Sequence, residues 1–215
     1  MKNLLIVLLL TAGLVTNAQR KVTESATVSG QDLLELGFDF ADEIEINTWD
    51  KNEVLVEVSV SINDGEYDHI FTLDKRVTER SIRIDMDKDM WKKIDREDSN
   101  CSFTSNIYYK VYMPASLELE SNTISGDYLI KNYAKQLNLK TISGDIDISV
   151  PSNKGLDFKA KTVSGEIYSD LDIEYPDGRE GLKQIVGMNV TGRIYNGGTP
   201  MKLETISGNI YLRRG

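Results

Sequence analysis

Thr123-Ile124-Ser125-Gly126-Asp127 returns as Thr141-Ile142-Ser143-Gly144-Asp145, as Thr162-Val163-Ser164-Gly165-Glu166 and as Thr205-Ile206-Ser207-Gly208-Asn209. A weaker copy reads Asn189-Val190-Thr191-Gly192-Arg193, and the five glycines stand 18, 21, 27 and 16 residues apart. Recurrence at such a period marks a stack of similar supersecondary units. The flanks recur as well. Upstream, Leu137 and Leu139, Phe158 and Ala160, and Met201 and Leu203 alternate with polar residues; downstream, Ile146 and Ile148, and Ile210 and Leu212 do the same. Period-two alternation means half-buried strands rather than helices.

The alternation slips at the motif itself. Counting by twos from Leu137 and Leu139 lands on Thr141, yet the next apolar residue is Ile142. A strand cannot change phase and keep one face inward, so the chain must bend there, and glycine suits the bend. The unit is strand, corner, strand and a turn of variable length. No such unit buries its apolar face alone, so neighbours must stack. The expected fold is all-β, a β-solenoid or β-helix-like stack with an N-terminal β region; the alternative is an antiparallel β-roll or sandwich. In the solenoid, Ile124, Ile142, Val163, Val190 and Ile206 are expected to line up as one interior column. The Ser and Thr residues form a column beside it that must be hydrogen-bonded or exposed.

The rest of the chain frames that repeat. Lys2, the apolar run 4–15 and the small residues Thr16-Asn17-Ala18 have the three-part form of a secretory signal peptide, so residues 1–18 are expected to be cleaved. Residues 19–114 then read as an N-terminal β-strand region and 115–215 as the β-repeat region, in one continuous domain. Strands are expected at 33–60, at 70–74, at 81–86 and at 106–113, with Pro114 as the boundary. Met90, Trp91 and Ile94 fall at helical spacing, and Tyr175-Pro176-Asp177-Gly178 has a type I turn signature within an insertion at 169–187. The formal charge is −9, with 34 acidic against 25 basic residues. This disfavours a nucleic-acid backbone or an anionic membrane as main partner. Cys101 is the only cysteine, so no intrachain disulfide holds the fold.

The Trp49-Asp50-Lys51-Asn52-Glu53-Val54 turn and the recurring Ile-Ser-Gly-Asp-Ile rungs resemble a bacterial family of exported domains of unknown function that carries an adhesin label. The resemblance implies a β-repeat fold and brings no catalytic residues with it.

Chemistry-bearing constellations are sparse. His69 is the only histidine, which excludes a histidine-rich metal site. The motif serines recur once per rung, whereas a hydrolase needs one nucleophile, and no Gly-x-Ser-x-Gly elbow surrounds them. Asp145 and Asp147, and Asp170 and Asp172, alternate so that each pair points outward, a spacing that a glycoside hydrolase could use but that a solvated strand face also produces. Asp85, Asp87 and Asp89 alternate like calcium ligands, yet lysines are interleaved. Trp49 and Trp91, with Tyr175, are candidate contact aromatics. Ser125, Gly126, Ser143, Gly144, Ser164, Gly165, Thr191, Gly192, Ser207 and Gly208 are assigned to the structural repeat, with no catalytic residue, cofactor or metal. The expected function is a non-catalytic exported envelope protein in the periplasm or at the cell surface, with an unidentified envelope protein or polysaccharide as partner and with room for self-association. End-to-end stacking through the last rung is a third reading, with Arg213 and Arg214 as edge protection. The alternative function is a polysaccharide-acting β-helix enzyme that uses outward carboxylates.

Overall fold

The computed structural model describes residues 19–93, 104–131, 133, 135–152, 154–175 and 189–215. The expected signal peptide, Cys101, Ile94 and residues 176–187 of the insertion lie outside them. In chain order the strands are β1 (Arg20–Thr27), β2 (Leu33–Gly37), β3 (Phe40–Trp49), β4 (Glu53–Ile62), β5 (Leu73–Val77), β6 (Ser81–Met86), β7 (Ser105–Pro114) and β8 (Glu118–Lys131). They continue as β9 (Leu137–Ser143), β10 (Ile146–Val150), β11 (Leu156–Ser164), β12 (Ile167–Ser169), β13 (Ile173–Glu174), β14 (Asn189–Ile194), β15 (Thr199–Ser207) and β16 (Ile210–Arg214). The strand expected at 70–74 begins three residues later, because Asp68–Ile70 close into a 3-10 turn. A second 3-10 turn, Met90–Lys93, takes the place of the expected helix.

Each repeat folds as an L. In β8 one strand carries both arms, with the corner at Ser125 and Gly126; β9 with β10, β15 with β16, and β11 with β12 repeat the shape. Neighbouring rungs pair in parallel: Thr123 with Thr141, Thr141 with Thr205, and Thr162 with Thr205. The second arms follow the same order, Ile146 beside Tyr128, Ile210 beside Ile146, and Ile167 beside Ile210. This is an open β-solenoid, and the parallel pairing disposes of the antiparallel roll. Antiparallel strands occur where the stack finishes: β1 on β4 and β4 on β7 at one end, β14 on β11 and β13 on β14 at the other.

The spatial order of rungs is not their order in the chain. The last rung, β15–β16, lies between the second and third copies of the motif. The last rung is therefore not the end of the stack, since Ile210, Tyr211 and Leu212 are paired on both sides. Arg213 and Arg214 are paired on one side only, with Ser149 and Val150, and on the other side the Arg214 N–H goes to the Asp170 carboxylate.

The stack also extends past the sequence repeat. β2 pairs with the first arm of β8, β3 pairs with its second arm, and β6 and β7 add a further layer. The hydrogen-bonded ladder thus crosses Pro114 without a break. Leu34 and Leu36 continue the inner layers of the first arm, and Ile44 and Ile46 those of the second. Between the arms lies one apolar core. Leu119, Leu137, Met201 and Phe158 form one of its columns, and Tyr128, Ile146, Ile210 and Ile167 another. Each such Leu or Ile contributes about 1.5–3 kcal/mol relative to exposure. Phe38 stacks on Tyr109 at 4.0 Å between ring centres. Burial of the Tyr109, Tyr128 and Tyr133 hydroxyls pushes their ionisation well above the ordinary tyrosine value. The Tyr128 hydroxyl shares a 2.8 Å hydrogen bond with Ser121, and Tyr133 donates to the Leu117 carbonyl at 2.6 Å.

Candidate binding faces at the corner and outer ladders

The corner reverses the expected column. Thr123, Thr141, Thr205 and Thr162 are the buried residues, whereas Ile124, Ile142, Ile206 and Val163 are 41–57% exposed. The period-two alternation therefore runs through threonine, and the slip falls one residue later, where two consecutive side chains point outward. Buried hydroxyls need partners, and the neighbouring rung supplies them. Thr205 Oγ1 donates to the Gly144 carbonyl at 3.1 Å, and Thr162 Oγ1 to the Gly208 carbonyl at 3.0 Å. Thr141 reaches the Gly126 carbonyl at 3.5 Å. An isoleucine at these positions would bury more apolar surface but would leave the carbonyls without those donors.

Glycine is required because adjacent corners touch. A Cβ on Gly144 would lie 2.1 Å from the Gly126 carbonyl oxygen, one on Gly208 2.0 Å from that of Gly144, and one on Gly165 1.9 Å from that of Gly208. Gly126, Gly144 and Gly208 also adopt φ of +148°, +150° and +154°, a region costly for any residue with a side chain.

The acid or amide after the glycine is a clasp between rungs. Asp127 Oδ1 accepts the Asp145 N–H at 2.8 Å, Asp145 Oδ1 accepts the Asn209 N–H at 2.7 Å, and Asn209 Oδ1 accepts the Glu166 N–H at 3.0 Å. The motif is thus a rung-to-rung connector: threonine binds one way along the stack, and Asp or Asn binds the other. The serines Ser125, Ser143, Ser207 and Ser164 form an exposed column beside the aliphatic one.

The weak copy plays a different part. Asn189–Ile194 run antiparallel to β11, with Gly192 opposite Phe158 and Thr191 opposite Lys159. Gly192 is small because a Cβ there would meet the Phe158 ring at 2.5 Å and Ile173 at 2.7 Å. Val190 is buried against the end of the stack and does not join the corner column.

The candidate aromatics do not converge. Trp49 ends β3, stacks on Tyr112 at 5.1 Å and donates its indole N–H to the Glu53 carbonyl at 2.7 Å. Trp91 packs edge-on against Phe40 at the start of β3, roughly 30 Å away along the strand. Tyr175 lines a recess of about 640 Å³ with Leu171, Ile173 and Tyr195 at the far end of the stack. An aromatic pair not singled out from sequence is Tyr168 and Tyr211, stacked at 5.3 Å on the outer face of the second arm. Their equivalent places in adjacent rungs were the available signal.

The candidate acids are engaged by neighbours. Asp147 takes both oxygens to Arg213 Nε at 2.8 and 2.9 Å, and Asp170 accepts the Arg214 N–H at 2.8 Å. Asp172 is 3.5 Å from Arg214. Asp85 binds Arg83, Asp87 binds Lys93 and Asp89 binds Lys92. The Lys93 ammonium and the Asp89 N–H hold the Asp87 carboxyl below its ordinary value. His69 is exposed in its 3-10 turn, with Nδ1 3.2 Å from the Glu66 carbonyl. Among the described residues no group of three or more His, Cys, Asp or Glu is arranged to hold a metal ion, and no helix is long and apolar enough to cross a membrane.

An open stack of L-shaped rungs, closed at its ends by antiparallel strands and carrying periodic outer ladders, is the architecture of a β-solenoid domain. The chain belongs to the Toastrack DUF4097 family, whose model matches residues 59–213. Its fold is similar to that of a "putative cell adhesion protein" from Clostridium sporogenes, at 11% identity and a TM-score of 0.57, over 92% of this chain and 100% of that one. A "putative adhesin" from Bacteroides fragilis aligns over 93% of this chain and 99% of that one at 10% identity, with a TM-score of 0.32. The first likeness supports the fold; the second is too distant to add to it. No curated protein matches the chain.

Proposed function

We propose that the protein is a non-catalytic, exported cell-envelope scaffold that binds polysaccharide through its outer faces, in the manner of an adhesin. The observation that carries this reading is the corner ladder. Ile124, Ile142, Ile206 and Val163 stand exposed in rung register, each beside an outward serine. Rungs repeat every 4.7–4.9 Å, so the same pair of groups, one aliphatic and one hydroxyl, recurs along a line. Such a surface suits a ligand that is itself periodic and mixes C–H faces with hydroxyls. A folded protein partner would instead be expected to meet a compact aromatic or arginine anchor, and the corner has none.

The signal-peptide reading of residues 1–18 supports export, and the name of the Clostridium sporogenes neighbour points to adhesion. Against the enzyme alternative stand the acids. Asp145 clasps the next rung and Asp147 is held at both oxygens by Arg213, so each is committed to the fold.

The test is retention of envelope polysaccharide by immobilised mature chain, compared with Ile142→Ser/Ile206→Ser. Both side chains are exposed, so the variant should fold with stability unchanged within about 0.5 kcal/mol. Retention by the wild type and loss in the variant support the reading. Equal retention by both removes the corner from it, and retention of protein alone makes this a protein-binding module.

A further inference from the structure

The first arm presents, one step from the corner ladder, a cluster of four lysines, only one of which is ion-paired among the described residues. On β9 the outward residues next to the corner ladder are Asn138 and Lys140, on β15 Lys202 and Glu204, and on β11 Lys159 and Lys161, preceded on the same face by Asp157. Register places Lys202 beside Asn138 and Lys159, and Glu204 beside Lys140 and Lys161. All four lysines are exposed. Lys202 reaches Glu204 at 3.2 Å, whereas Lys140, Lys159 and Lys161 make no ion pair among the described residues.

One pairing in this patch departs from the common pattern of the outer surface. Most cross-strand cations of the outer surface face acids: Lys110 with Glu45, Arg213 with Asp147, Arg83 with Glu35 and Arg193 with Asp157, and within the patch Lys140 and Lys161 with Glu204; Arg76 opposite Arg83 is an exception. Lys159 and Lys202 are instead directly opposite each other on paired strands, where like charges are destabilising. The chain as a whole carries −9, so a local excess of positive charge is not a by-product of basic composition. An anion lying between the strands would remove the repulsion.

The surroundings indicate what kind of anion. The patch is a flat strand surface about two strand spacings wide, roughly 10 Å, and one i to i+2 step long, roughly 7 Å. Asn138, Asn189 and Thr191 border it with amide and hydroxyl groups, the carboxylates of Glu120 and Asp157 lie at its margins, and no aromatic side chain stands in it. It is continuous with the corner, since Lys140 and Ile142 point the same way two residues apart on β9, as do Lys161 and Val163 on β11. A flat, hydrogen-bonding, cationic strip without an apolar anchor fits an extended hydroxylated polyanion better than a folded acidic protein.

We infer that Lys140, Lys159, Lys161 and Lys202 form the charge-reading part of the binding face, and that its ligand is a linear anionic polysaccharide bearing carboxylates or phosphates. This rests on the polysaccharide reading above and specifies the ligand's charge.

Affinity electrophoresis of the full mature chain through gels containing polygalacturonate, dextran or poly-glutamate tests it, with Lys140→Gln/Lys159→Gln/Lys161→Gln/Lys202→Gln and the matching four-fold arginine variant alongside. Polygalacturonate retards the wild type and the arginine variant; the glutamine variant binds at least about tenfold more weakly. Retardation fades as salt rises past physiological strength. Thermal melts of both variants confirm that the fold is intact. Failure of polygalacturonate to retard the wild type, equal binding by the glutamine variant, or equal retardation by poly-glutamate overturns the inference. If the envelope fraction is still retained by wild type and glutamine variant alike, the broader reading survives and only the charge assignment falls. If no envelope polysaccharide is retained at all, the broader reading falls first.

Discussion

Gly208→Ala isolates the contact on which the stack depends. Its Cβ would stand 2.0 Å from the Gly144 carbonyl oxygen and 2.6 Å from the carbonyl carbon, where ordinary contact begins at 3.4 Å. Both atoms are backbone, so relief comes only by parting the rungs. That movement breaks or stretches the bonds from Thr205 Oγ1 to the Gly144 carbonyl at 3.1 Å, from the Asn209 N–H to Asp145 Oδ1 at 2.7 Å and from the Gly144 N–H to the Ser207 carbonyl at 3.0 Å. Three bonds at about 0.5–1.5 kcal/mol each, with about 1–3 kcal/mol of backbone strain, give a loss of about 2.5–7.5 kcal/mol. Gly30→Ala is the control, because Gly30 also has positive φ, +108°, but nothing within 4 Å of the added atom. It should lose only the strain, about 1–3 kcal/mol. Thermal unfolding followed by far-UV circular dichroism reads the difference; the melting temperature should fall by more than about 5 °C for Gly208→Ala on the scale for domains of this size. Equal losses in the two variants would refute the close approach of the corners.

Thr205→Val keeps the shape but removes the donor to the Gly144 carbonyl, and should cost about 1 kcal/mol in urea unfolding; a gain in stability would mean that the column prefers an apolar residue. Asp145→Asn should be nearly neutral, since Asn209 already performs the same clasp on the next rung, whereas Asp145→Ala should lose about 1–2 kcal/mol. The raised ionisation of Tyr109, Tyr128 and Tyr133 has a defined sign: the folded state keeps protons that the unfolded chain releases above about pH 10. Stability is therefore complete below that value and falls as pH rises beyond it, and phenolate absorbance from these residues should emerge only with unfolding. Phenolate signal from all tyrosines while the fold persists would contradict their burial.

The strand periodicity, the corner glycine and the solenoid class were legible in the sequence because each rung obeys the same local rules. Alternation marks the two arms, and glycine marks the bend. The inside of the corner was not legible by hydropathy. Ile142 is the apolar residue at the bend, so pattern reading buries it, but the narrow interior there admits threonine, whose hydroxyl satisfies a carbonyl that isoleucine would leave unpaired. Rung order was hidden for a different reason. Every rung carries the same period-two pattern, and nothing local says that β15 pairs with both β9 and β11. The N-terminal layers escaped the repeat search because Phe38-Asp39-Phe40-Ala41 turns their corner without the motif. There the Asp39 carbonyl receives the Ile124 and Ser125 N–H groups, and Ala41 stands against Gly126. The lysine cluster was invisible until register brought together residues from positions 140 to 202.

On the proposed function, the outer faces hold a polysaccharide without cleaving it. The most direct measurement incubates the mature chain with purified envelope polysaccharide and quantifies, in the same sample, the bound ligand and newly formed reducing ends. Retention that saturates, with no reducing ends above the protein-free control, is the predicted result. Reducing ends that accumulate with time and disappear in Asp147→Ala would make the outward carboxylates catalytic and contradict the account.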